Sequence, residues 1–313
     1  MTASPGTDRP PGLTPQRMLR RLEWRVVRRL YGLLQGDHRT TSRGQGLDVA
    51  DLREYTPGDD LRFIDWNVTA RMDTPYVREY LEDRELTCWL LLDHSASMGF
   101  GPVDRTKARV LTELATTMAY VLARGGNRVG ALVYGDRLEK TVPPGAGRLQ
   151  VLRIAQTLID PPRSETHTTT DLATLLRHAD GIIRRRSLVL VVSDFQSKPG
   201  WEDHLGRLAR RHDVVCIEIS DPREHDLPDV GLVYVEDAET GEQIFVDTND
   251  PGFRARLAAA VEGRRSSLAA AVAHAGAELH HVGTDDDMVL ALTRIAALRS
   301  RRASGRLFAR AVR

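Results

Sequence analysis

Leu86-Thr87-Cys88-Trp89-Leu90-Leu91-Leu92 runs directly into Asp93-His94-Ser95-Ala96-Ser97. A strand with one wet face alternates apolar and polar residues. The first seven residues hardly alternate, as expected of a strand covered on both faces in a parallel sheet. The five residues after it carry a carboxylate and two hydroxyls at every second position. In an open α/β sheet ligands bind beyond the carboxyl ends of the strands, so this junction is the first place to look for function.

Working outward, Ser187–Val192 and Val214–Ile219 are two further apolar runs of the same type. Arg128–Tyr134 and Glu278–Val282 read as strands, and Arg137–Val142 as a weaker one. Between them apolar residues recur at helical spacing over Thr106–Ala123, Leu149–Ile159, Asp171–Arg185, Glu202–Arg211, the alanine-rich stretch Phe253–Ala275, and Asp286–Arg299. Helices alternating with buried strands predict a doubly wound, mostly parallel α/β sheet. Val230–Glu236 and Gln243–Val246, around Thr240-Gly241, fit a hairpin that either stands alone or joins that sheet.

Upstream the pattern is different. Thr14-Pro15 suits a helix start, and Leu19, Leu22, Val26, Leu30 and Leu33 follow at helical spacing until Gly36. This predicts an amphipathic helix with a basic outer face. Residues 37–73 lack a clear period and predict a compact irregular segment with short strands, turning at Pro57-Gly58. Tyr76–Leu81 reads as a strand. The organisation expected is a disordered terminus (1–13), a basic helix (14–36), a small irregular and β segment (37–84), the α/β domain (85–300) and a basic tail (301–313).

Composition narrows the functional classes. The chain of 313 residues is 41% hydrophobic and 28% charged, with a net charge of +1. Such a balance excludes a molecule that binds nucleic acid or membrane by overall charge. Arginines do crowd Arg17–Arg29 and Arg299–Arg313. They read as a solvated helix face and a frayed tail, or as a docking site for an acidic partner or anionic lipid. Without interleaved aromatics they do not read as a nucleic-acid site. No run approaches the ~18 apolar residues of a transmembrane segment, and residues 1–12 have no signal-peptide core. The expectation is a soluble, cytoplasmic protein. Cys88 and Cys216, each inside an apolar strand, read as buried reduced thiols.

The chemistry concentrates after the strands. Asp93, Ser95 and Ser97 follow the first, Asp194 follows Ser187–Val192, and Thr168-Thr169-Thr170-Asp171 opens a helix between them. Carboxylates and hydroxyls are hard oxygen donors, suited to Mg²⁺, Mn²⁺ or Ca²⁺. With few full charges on the ion, an open coordination position stays electrophilic and attracts a partner's carboxylate. The plainer reading of Asp93 and Ser95 is a helix-capping loop.

Asp93-x-Ser95-x-Ser97, Thr170 and Asp194, in that order, resemble the metal-ion-dependent adhesion site of von Willebrand factor A domains, a Rossmann-like fold. Thr170 is chosen among three threonines because Thr170-Asp171-Leu172 resembles that family's helix start. Asp194 is followed by Phe195, where many members have glycine. The resemblance implies that the serines and threonine bind the cation directly or through water. It also implies that the aspartates ligate it or orient its waters, and that an acidic partner side chain completes the shell.

A second block is longer. Leu52-Arg53-Glu54-Tyr55, Pro57-Gly58-Asp59-Asp60, Arg62, Ile64-Asp65-Trp66, Ala70-Arg71 and Val77-Arg78-Glu79 are similar to the signature of a bacterial family, domain of unknown function 58. Its members carry a von Willebrand A-like domain and are commonly encoded beside MoxR-type AAA+ ATPases. This resemblance implies a non-enzymatic, metal-dependent protein-binding adaptor, acting with such an ATPase in assembly or maturation of a client. Read from the residues, Arg53, Asp59, Asp60, Arg62, Asp65, Trp66 and Arg71 form either a partner-docking surface or an ion-paired lid packed around Trp66 and Phe63 against the sheet.

Two other functions compete. A degenerate scaffold would bind partners without metal. A hydrolase would use Asp93, Ser95 and histidines, but His94 should point away from its neighbour Ser95, and neither a Gly-x-Ser-x-Gly elbow nor a Walker A loop is present.

Overall fold

The structure, a computed structural model, describes residues 49–298 except 58, 73, 81–85, 103–104, 136, 160–170, 225–229 and 237–242. The expected basic helix, terminus and basic tail lie outside the described residues.

The main sheet has six strands. They are β3 (Thr87–Asp93), β4 (Arg128–Tyr134), β5 (Leu138–Gly145), β6 (Leu188–Ser193), β7 (Asp213–Ser220) and β10 (Glu278–Gly283), in the order β10-β7-β6-β3-β4-β5. All neighbours are parallel except the edge strand β5, which runs antiparallel to β4. β5 runs past its expected end at Val142 through Pro143 and Pro144. An edge position tolerates prolines, because their missing N–H groups remove no bond from the ladder interior.

The apolar runs are continuous because helices cover both faces. Cys88, Leu90 and Leu92 of β3 join one buried cluster, with Val110, Leu111 and Leu114 of α2 (Lys107–Arg124), Ile154 of α3 (Gly147–Ile159), and Leu292 and Ile295 of α7 (288–298). Trp89 and Leu91 point the other way. They join a second cluster with Leu172 and Leu175 of α4 (Leu172–Ile182), Leu205 and Leu208 of α5 (Trp201–Arg211), and Leu268 and Val272 of α6 (Pro251–His274). Alternate residues of one strand therefore fill two cores. Truncating a leucine in either would cost about 2–5 kcal/mol.

The connection from β3 leads to β4 on one side of the sheet, and the connection from β6 leads to β7 on the other. Adjacent strands β3 and β6 thus form the topological switch point, where the carboxyl ends diverge and leave a crevice. Leu92 pairs with Val192, which brings Asp93 and Ser193 level at the rim.

Four expectations need adjustment. α4 ends at Ile182 rather than Arg185, because Ile183 turns to extended backbone and is buried in the core. β8 (Leu232–Glu236) and β9 (Gln243–Asp247) form a separate antiparallel hairpin, which decides that question against membership of the main sheet. The upstream segment is more regular than its sequence suggests. β1 (Val49–Glu54) pairs antiparallel with β2 (Tyr76–Tyr80), and a short helix α1 (Trp66–Met72) lies between them. Of the two readings of the upstream block, a lid packed around Trp66 does not describe it, since Trp66 is 68% exposed. It occupies the first position of α1, where the helix turns its ring outward.

Both cysteines are reduced thiols and buried, on opposite faces of the sheet. Among the described residues, no helix is long and apolar enough to cross a membrane.

Candidate functional site

The site grows from the ends of β3 and β6. Asp93 is 1% exposed. Its Oδ1 accepts the Ser95 N–H at 3.0 Å, and its Oδ2 accepts the Ser193 hydroxyl at 2.5 Å, joining the two strand ends. Ser193 Oγ in turn accepts the Phe195 N–H at 2.9 Å, which shapes the loop that carries Asp194. Phe195 has φ 55°, the left-handed region that glycine enters without cost. The backbone therefore adopts the glycine-like conformation although the residue is phenylalanine. Its ring offsets the strain by burial against Trp201, with centroids 5.5 Å apart.

After Asp93 the chain makes a short 3-10 turn over Ala96–Gly99. This turn brings Ser95 Oγ and Ser97 Oγ to 3.0 Å from each other, both serines being buried. The separation suits a hydrogen bond. It also suits adjacent ligands of one octahedral ion, since two corners ~2.1 Å from a Mg²⁺-sized centre lie ~3.0 Å apart. Two residues beyond the turn, Gly101 has φ 130°, and a Cβ there would sit 3.0 Å from Thr106 Cα.

Asp194 is 2% exposed and faces Asp93 closely enough for its charge to act on it. Burial, and then the Asp194 charge, push the Asp93 carboxyl up to about 7, against the pull of hydrogen bonds from Ser193 and Ser95. Two acidic side chains converging in a dry crevice repel each other, and a cation between them relieves that repulsion.

Asp93, Ser95, Ser97 and Asp194 are thus brought to one rim. Thr170 lies outside the described residues. Its neighbour Asp171 caps α4 by accepting the Thr174 N–H at 3.2 Å, and Leu172 N–H donates to Ser197 Oγ at 2.9 Å. That bond ties the start of α4 to the loop after Asp194. Among the described residues no three His, Cys, Asp or Glu side chains cluster as a metal site. A site here would rely on hydroxyls. The donor set is hard oxygen throughout and fits a divalent cation such as Mg²⁺ or Mn²⁺.

Sequence reasoning missed a buried cation at the site. Lys107, the first residue of α2, is fully buried, and its Nζ donates to Asp194 Oδ2 at 2.8 Å and to Glu224 Oε1 at 2.6 Å. Burial opposes its charge, but Asp194 and Glu224 outweigh burial and raise its pKa. Glu224 lies in a turn just after β7, where it also accepts the Gln196 side-chain amide at 3.2 Å and the Asp221 N–H at 3.1 Å. One signal was available: a lysine in the first turn of a helix stands against the helix dipole and needs a reason.

His94 is turned toward β5, with Nδ1 3.9 Å from Glu139 Oε2, and burial lowers its pKa. Ser95 Oγ meanwhile contacts Ser97.

In the upstream block, Arg53 grips Asp59 with two bonds of 2.7 Å each, and Arg62 pairs with Asp60 at 2.7 Å. The Arg53 guanidinium, with the Thr56 N–H, holds the Asp59 carboxyl well below the usual range. Asp65 is buried and caps α1, accepting the Asn67 and Val68 N–H groups at 3.0 and 3.2 Å. Trp66, Arg62 and Arg71 are exposed.

The chain is similar to several known proteins. The chain is 36% identical over 283 residues to an uncharacterized protein of Mycobacterium tuberculosis (strain ATCC 25618 / H37Rv), covering 90% of this chain and 89% of that one. An uncharacterized protein of Mycobacterium avium is 34% identical over 160 residues, covering 51% of this chain and 94% of the relative. Among solved structures, the conserved hypothetical protein BatB of Bacteroides thetaiotaomicron aligns with a TM-score of 0.46 at 15% identity, over 70% of this chain and 99% of that one. The SpRpn10 VWA domain aligns with a TM-score of 0.36 at 14% identity, over 66% and 93%. The sequence profile described as "Protein of unknown function DUF58" matches residues 51–267, more than half of the chain. This protein belongs to the DUF58 family.

Proposed function

We propose that this protein is a metal-dependent protein-binding adaptor without catalytic activity of its own, working with a MoxR-type AAA+ ATPase on a client protein. The observation that carries the reading is the convergence of Asp93, Ser95, Ser97 and Asp194 at the β3–β6 switch point, all buried and all oxygen donors. Asp93, Ser95, Ser97 and Asp194 would hold the cation, together with Thr170 as the family resemblance implies. The bound ion supplies an electrophilic coordination position for a partner's carboxylate oxygen. The chain's own contribution is preorganisation. The Ser193 hydroxyl and the Ser95 N–H fix the Asp93 carboxylate, and the 3-10 turn holds the two serine hydroxyls side by side. A fixed donor set binds without first losing side-chain freedom.

Trp66, with Arg62 and Arg71, is the part of the family block available to a partner, because it is exposed. Arg53, Asp59 and Asp65 support that surface through internal bonds. The orientation of His94 toward Glu139 speaks against a serine–histidine hydrolase.

A second reading, a scaffold that needs no metal, is favoured by the Lys107–Asp194 ion pair, which supplies positive charge from within the chain. Affinity capture of the full chain from its native cell, with Mg²⁺ or with EDTA, separates the two. The adaptor reading predicts an ATPase or client retained only with metal and lost in Asp93→Ala. Equal retention in EDTA selects the scaffold.

A further inference from the structure

A lysine buried to 0% exposure is rare, and its ammonium needs full pairing. The Lys107 ammonium has that pairing from Asp194 and Glu224, and it lies 5.8 Å from the centre of the Phe100 ring. Helix formation does not explain the residue, because the N-terminal turn of α2 disfavours a cation. The two carboxylates do not serve the lysine equally. Asp194 stands at the rim beside Asp93, with its Oδ1 held by the Gln196 N–H at 3.0 Å. Glu224, in the turn after β7, is anchored through Asp221 and Gln196. The ammonium therefore bridges a carboxylate the cation would use and a carboxylate of a different loop, the turn after β7.

We infer that Lys107 is a tethered counter-cation that sets the divalent-metal affinity of this site. It neutralises Asp194 in the metal-free protein. A divalent ion binding at Asp93, Ser95 and Ser97 has to share Asp194 with the ammonium or displace it toward Glu224, which remains to receive it. The inference rests on the metal-binding reading and adds a determinant from outside the Asp-x-Ser-x-Ser loop.

The test is isothermal titration of Mn²⁺ into the chelator-stripped full chain as wild type, Lys107→Met and Glu224→Gln, with folding checked by circular dichroism. Lys107→Met keeps the stem's volume and frees Asp194 for the ion, so Mn²⁺ binds at least about tenfold tighter. Glu224→Gln leaves the ammonium leaning on Asp194 alone, so Mn²⁺ binds several-fold weaker. Wild-type binding with no gain in Lys107→Met overturns the inference and leaves the metal reading intact. Binding by Lys107→Met alone supports the inference and overturns metal dependence of the natural protein. No binding by any of the three overturns both. If Lys107→Met does not fold, an unchanged or tightened Glu224→Gln overturns the inference.

Discussion

Replacing Lys107 by methionine should also cost the metal-free protein much of its stability. The side chains of Lys107 and Asp194 are each 1% exposed, and that of Glu224 is 14% exposed. Methionine conserves the packing of the stem, so the loss is electrostatic: two carboxylates in a dry site lose their ammonium. Removing one partner of a buried pair costs about 3–5 kcal/mol, a large part of the 5–15 kcal/mol typical of a whole domain. Urea unfolding in EDTA would register it. With a slope of ~2–3 kcal/mol/M for a chain of this size, the midpoint falls by about 1–2.5 M. The loss should be coupled to Asp194. In the Lys107→Met background, Asp194→Asn removes the stranded charge and recovers about 1–3 kcal/mol, whereas alone it destabilises. A Lys107→Met midpoint within ~0.3 M of wild type, or strictly additive effects in the double variant, would refute the buried ion pair as a stabilising element.

The pH dependence of that difference follows from the sign of the shift. The pKa of Lys107 is raised above its unfolded value of 10.5, so the stabilisation is complete below that pH and disappears as pH rises through the folded value. The urea midpoint gap between wild type and Lys107→Met should stay level from pH 7 to about 10 and close above it. Asp65→Ala removes the cap of α1 and should cost about 1 kcal/mol, with faster amide exchange at Asn67 and Val68 and unchanged Mn²⁺ binding. Burial pushes the Cys216 thiol far up, and Cys88 is equally buried. A thiol reagent such as DTNB should therefore label neither in the folded protein and both after unfolding.

The sheet was legible because its central strands are buried on both faces. Leu86–Leu92, Ser187–Val192 and Val214–Ile219 could hardly be anything else, and each carries its loop to the same edge. Asp93, Ser95, Ser97 and Asp194 were legible for the same reason, as polar residues at the carboxyl ends of apolar strands. Lys107 was not. Its partners lie 87 and 117 residues away in sequence, so its role exists only once β6 stands beside β3 and β7 beside β6. Trp66 misled because a large aromatic ring in an irregular stretch suggests a small core. The local signal that mattered was Asp65, whose side chain starts α1 and leaves the indole outside. Phe195 shows a third kind of gap. The left-handed backbone after Asp194 is fixed by the loop, and burial against Trp201 outweighs the residue's own preference.

The adaptor proposal requires the oxygen cluster at the β3–β6 rim to hold a divalent ion. Electron paramagnetic resonance during titration of Mn²⁺ into the chelator-stripped full chain measures this directly, through the loss of the free-ion signal. The account predicts saturable uptake of about one ion per chain by wild type, weakened at least tenfold in Asp93→Ala and in the Ser95→Ala, Ser97→Ala double variant. Free Mn²⁺ signal undiminished by wild type, or uptake unaffected by these substitutions, would contradict it.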